Sequence, residues 1–171
     1  MGRANTPTFH YSKVFFSMGH PSLAPLSHDH HHGLALALRC RKQALGQIKP
    51  MGAAGLRERA KEFLSFYASN LVTHFRAEEQ VLFPLLGNAT PTSRRIIGEL
   101  LSDHEQIRQA AAQLENGTGL AKLIFDLGDL LERHIRKEER ELFPLFEQNV
   151  TAAEADKVGQ ELKKVLEAGP V

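Results

Sequence analysis

Apolar positions along this chain recur at three- and four-residue steps, the spacing of one face of an α-helix. Leu34, Leu38, Leu45 and Ile48 fall on one such face, and Gly46, Pro50 and Gly52 close that first segment. A second segment runs from about Leu56 to Leu86, with Phe63, Phe66, Tyr67, Leu71, Val72, Phe75 and Leu82 in phase; Gly87, Asn88 and Pro91 break it. A third runs from about Pro91 to Leu114, with Thr90 as N-cap and Pro91 at the first helical position, and Asn116-Gly117 ends it. The fourth spans about Leu120 to Gln148. Thr151 and Glu154 have capping-box spacing and open a short fifth helix that stops near Ala168-Gly169-Pro170. No stretch alternates with period two. The pattern predicts an all-α fold, an antiparallel up-down-up-down four-helix bundle over residues 26–171. Residues 1–25, with Pro7, Gly19, Pro21 and Pro25, read as an N-terminal arm that packs loosely or runs extended.

Composition narrows the function classes. The 171 residues suffice for one domain with a real core, and the 42% hydrophobic and 24% charged content is ordinary for a globular protein. A net charge of +1, without single-sign tracts, argues against a nucleic-acid or anionic-lipid partner. No apolar run is long enough to span a bilayer or form a secretory core, so no membrane is expected and the default address is cytoplasmic. The single cysteine, Cys40, precludes an internal disulfide and reads as a small buried hydrophobe. Gly-rich phosphate loops and nucleophile elbows are missing, and Leu71, Leu101 and Leu131 occupy the positions where a Glu-x2-His carboxylate site would need its acid.

The chemistry lies in a repeat. HFRAEEQVLFPLL begins at His74 and HIRKEERELFPLF at His134, and eight of the thirteen positions are identical. The helices before them also rhyme, as LSHDHHHGL from Leu26 and LLSDHEQI from Leu100. The unit is a histidine-bearing helix followed by a helix with His-x3-Glu, present twice. Residues i and i+4 share a helix face, so His74 with Glu78, and His134 with Glu138, can each aim at one point inside the bundle. A carboxylate can bridge two cations, and two such glutamates with four histidines, one per helix, would hold two metal ions together. Imidazole with carboxylate suits iron, zinc or copper better than magnesium or calcium. Without a cation, two buried glutamates would cost several kcal/mol each. The next residues, Glu79 and Glu139, read as turned away into surface ion pairs.

These doubled HxxxEExxLFPL strings, with a histidine-bearing helix before each, resemble the hemerythrin-like, HHE cation-binding family over about residues 26–148. The resemblance implies a four-helix bundle around a non-haem di-iron centre, two iron ions with an oxo or hydroxo bridge, that binds or senses dioxygen or nitric oxide or handles iron. Zinc could fill the same ligands. Carried over, the ligands are His74, Glu78, His104, His134 and Glu138. The first helix offers two choices. His31 is followed three positions on by Leu34, as His104 is by Ile107, and the leucine stripe favours it. His30 instead matches the Asp-His pair at Asp103-His104 and has Leu26 four before it, as His104 has Leu100. The spare histidines His28 and His32, like His10 and His20, read as solvated.

Two departures qualify the likeness. Oxygen-carrying members place a second histidine four after the first in helix three, where this chain has Arg108. Their fourth helix carries His-x4-Asp rather than His-x3-Glu. Both changes favour sensing or iron handling over oxygen storage. A di-iron enzyme with peroxidase-like or nitric-oxide-processing activity is the alternative, ranked lower because no acid–base residue is recognisable beside the ligands.

Overall fold

The computed structural model describes residues 19–169, and the first eighteen residues of the expected arm, His10 among them, lie outside that range. All regular structure among the described residues is helical. A short 3₁₀ turn, Pro21–Leu23, leads into α1 (Ala24–Ala44). Helix α2 runs over residues 52–87 and α3 is Pro91–Glu115. Helix α4 covers residues 120–149 and α5 is Ala152–Glu167. No helix among the described residues is long and apolar enough to cross a membrane.

The ends follow from local chemistry. Thr90 accepts a hydrogen bond from Ser93 N–H and Ser93 Oγ accepts one from Thr90 N–H, a reciprocal cap behind Pro91. Thr151 and Glu154 do the same for α5. Gly46 and Gly117, just past α1 and α3, adopt positive φ of 66° and 71°, which a side chain would resist. At the other end of α1, Leu23 is fully buried, so the packed body already begins within the stretch read as an arm. His20 N–H donates to Glu147, tying that stretch to α4.

Helices α2 and α4 are not uniform. Each loosens into a π-helical turn, Glu78–Leu82 and Glu138–Leu142, and α2 has a further one at Tyr67–Leu71. In both repeats the Phe N–H reaches back five residues, Phe83 to Glu78 and Phe143 to Glu138, immediately before Pro84 and Pro144. A proline has no N–H to give and its ring crowds the carbonyl one turn back. The widened turn relieves that crowding. The Phe-Pro pairs therefore sit inside continuing helices.

The core has two halves. One gathers Leu26, Leu82, Phe83, Leu86, Leu100, Leu142 and Phe146, and α5 seals it with Ala155, Val158 and Leu162. The other gathers Leu36, Cys40, Phe63, Phe75, Ile107, Leu127 and Leu131. The first half takes the N-terminal parts of α1 and α3 and the C-terminal parts of α2 and α4, which is up-down-up-down. Between the halves, every long helix contributes a buried histidine.

Candidate metal centre

The inner face of α1 is built from Leu26, Leu36 and a run of small residues rather than from the stripe of Leu38 and Leu45. Leu26, His30, Gly33, Ala37 and Cys40 are buried at three- and four-residue steps, whereas Leu38 and Leu45 are 45% and 59% exposed. A Cβ on Gly33 would lie 2.8 Å from Ile135 Cδ1, so α1 and α4 approach closely there. This phase corrects the first-helix choice: His30 turns inward and is buried, and His31 is exposed on the outer face. The leucine stripe that favoured His31 is not the packed one.

His30, His74, Glu78, His104, His134 and Glu138 converge at the boundary of the two core halves, all at most 1% exposed. Glu78 Oε1 is 3.1 Å from His74 Nε2 and its Oε2 is 3.2 Å from His104 Nε2. Glu138 mirrors this, with Oε2 3.0 Å from His30 Nε2 and Oε1 3.4 Å from His134 Nε2. Two groups of four donors result: His30, His74, Glu78 and Glu138; and His104, His134, Glu78 and Glu138. Each glutamate serves both groups, one oxygen to each. The arrangement keeps the pseudo-two-fold symmetry of the repeat.

These close approaches are not ordinary hydrogen bonds. All four glutamate oxygens, with His104 Nε2 and His134 Nε2, are buried without a hydrogen-bond partner. The two nitrogens His30 Nε2 and His74 Nε2 face each other at 3.2 Å. Buried polar atoms are rarely left so. Neighbouring ligands of one cation, with bonds of about 2.1 Å at right angles, lie about 3 Å apart. The donor set and its spacing fit cations, and the orphaned atoms are those a cation would satisfy.

Two outer carboxylates hold imidazoles by their other nitrogen, and two more stand near without a hydrogen bond. His74 Nδ1 is 3.1 Å from Asp29 Oδ2, and His104 Nδ1 is 2.7 Å from Glu79 Oε1. His30 Nδ1 lies 3.4 Å from Glu139 Oε1 and His134 Nδ1 3.6 Å from Asp103 Oδ2. Glu79 and Glu139 thus do not simply face solvent, as their phase suggested. They and the two aspartates were missed as site residues, although the repeat carries the signal: Asp-His and Glu-Glu recur at matching positions. Arg108, in place of a second histidine, pairs with Glu79 at 2.7 Å and lies over the Phe75 ring. Phe75 in turn stacks on His104 with ring centroids 3.8 Å apart.

Charge in this cluster is strongly coupled. Burial works against the Glu78 carboxylate, but His74 and His104 outweigh it and hold the carboxyl well below its ordinary range. Burial would also lower His74, yet Glu78 and Asp29 raise it to about 10. His30 and His104 are raised too, against burial, by Glu138 and Glu139 and by Glu78 and Glu79 respectively. Raised imidazoles beside the lowered Glu78 carboxyl favour protonated histidine there when no cation is bound.

Among the described residues the other histidines are peripheral. His28 and His32 are exposed, and half-buried His20 accepts a hydrogen bond from Ser22 N–H. Cys40 is fully buried, and burial pushes its thiol up to about 12.

A sequence model described as the hemerythrin HHE cation binding domain matches residues 22–146. The chain belongs to the hemerythrin HHE family. Searches of curated proteins and of solved structures return no match. Membership in a hemerythrin cation-binding family, with its matched span covering every residue of the buried His/Glu cluster, makes this a metal-binding protein.

Proposed function

We propose that this hemerythrin-like protein holds two iron ions in the paired donor groups and binds or senses a small ligand, dioxygen or nitric oxide, or handles iron. His30 and His74 would serve one ion and His104 and His134 the other, with Glu78 and Glu138 shared. The observation that carries the reading is that both oxygens of both buried glutamates lack hydrogen-bond partners while facing imidazole nitrogens in two groups. Each group offers four protein donors. Zinc prefers four, and a four-donor set closes it. Iron prefers more, which leaves positions for an exogenous ligand. Iron held in this way supplies redox chemistry and a binding position for a diatomic molecule.

The chain's own residues do the rest. Asp29 and Glu79 orient the His74 and His104 imidazoles, Asp103 and Glu139 place negative charge beside those of His134 and His30, and a histidine held by a carboxylate is a more basic ligand. Phe75 and Phe83 shield His104 from water. On the His30 side a surface groove of about 710 Å³ runs between α1 and α4 and reaches Glu139 and Phe143. Phe143 stacks against His30, so this groove supports entry of a small molecule on that side.

Metal analysis of protein purified from iron-replete cells, with an optical spectrum before and after reduction, tests the proposal. Near two iron per chain, with near-ultraviolet absorption lost on reduction and altered by nitric oxide, is the expected result. Stoichiometric zinc without such absorption would overturn it.

A further inference from the structure

His28, His31 and His32 stand outside the buried centre, on the same turns of α1 that carry His30. His28 and His32 are four residues apart, on one helix face, and both are exposed. Their ring centroids are 4.8 Å apart and the ring planes meet at 77°. Two imidazoles on one cation have ring centres about 3.1 Å from it, and so lie about 4.4–5.1 Å apart when their bonds subtend between a right and a tetrahedral angle. The observed spacing of 4.8 Å falls inside that window. His31 does not share the arrangement. It follows His30 on the helix and its ring lies 6.2 Å from that of His32, edge-on.

We propose that His28 and His32 form a second, solvent-facing cation site, taking one divalent transition ion of the zinc, nickel or copper class through two imidazoles, with water completing its shell. No ligand is shared with the buried groups, so the two sites fill independently. The outer ion lies near the N-terminal end of α1, one face away from His30.

Isothermal titration of zinc into the full chain counts the equivalents. Wild type takes one equivalent more than His28→Ala or His32→Ala, and His31→Ala takes as many as wild type. Glu78→Gln with Glu138→Gln removes the interior equivalents and leaves the outer one, so failure of the buried-centre reading and failure of this one are told apart. Equal stoichiometry in wild type, His28→Ala and His32→Ala, or loss of the same equivalent in His31→Ala, overturns the proposal. All three histidines are exposed, so circular dichroism should be unchanged by their replacement.

Discussion

Asp29 governs how His74 presents itself. Its carboxylate, held below its ordinary range despite burial by the His74 contact, accepts from Nδ1 and leaves Nε2 for the centre. Asp29→Asn keeps the shape and removes the charge. Loss of such an outer partner costs about 10–100-fold in metal affinity, and that is the drop expected in a competition titration against a chelator. Asp103 stands at the matching position, but its contact with His134 is longer, 3.6 Å against 3.1 Å. Asp103→Asn is therefore expected to weaken binding less. Equal effects would mean that the two halves are matched in solution. The glutamates are a separate case, because each serves both donor groups. Glu78→Gln removes the negative charge that both groups share and replaces one donor oxygen with an amide nitrogen that cannot ligate, so metal content measured by mass spectrometry should fall by more than half rather than by one ion.

At the scale of the helices, α1 and α4 meet through two glycines of different tolerance. A Cβ on Gly128 would come 2.7 Å from Ala37 O and 2.9 Å from Cys40 Cβ, both rigidly placed. At Gly33 the obstacle under 3 Å is the end of the Ile135 side chain, which can turn aside. Overpacking costs about 1–3 kcal/mol, while replacing a mid-helix glycine by alanine returns about 1 kcal/mol of propensity. Gly128→Ala is expected to destabilise in a denaturant titration and Gly33→Ala to be close to neutral. The same contact shows why the first-helix ligand was hard to read. Helix ends were legible because Thr90, Thr151 and Gly117 announce caps through local chemistry. The His-x3-Glu pairs were legible because the repeat states them twice. The phase of α1 was not, since its inner stripe is Gly33, Ala37 and Cys40, small residues chosen for close approach, while exposed Leu38 and Leu45 imitate a core face. The π-helical turns were equally hidden, because apolar periodicity carries each helix through its proline without showing the one-residue widening that lets it pass.

For the whole molecule, the centre joins two core halves, so its charge state sets stability. The raised pKa of His74 means its contribution to the metal-free fold is complete below the ordinary imidazole value of about 6.5 and is lost as pH rises through about 10. The lowered pKa of Glu78 works the other way. Its contribution is complete above the ordinary carboxylate value of about 4.5 and is lost as pH falls through its depressed value. The metal-free protein should therefore be most stable between about 4.5 and 6.5, as far as these two groups decide it. Cation binding needs neutral imidazole and carboxylate, so it must displace the His74 proton and release it to solvent. Affinity then rises with pH over the interval from about 6.5 to about 10, and a ligand that binds only the folded chain stabilises it in step with its affinity. The difference in Tm between zinc-loaded and chelated protein is expected to widen as pH climbs from about 6.5, and a weakly buffered titration should show acid release on zinc addition. A Tm difference that stays constant across this interval, with no acid released, would mean that His74 is already neutral before the cation arrives. The proton-balanced picture of the metal-free cluster would then be wrong.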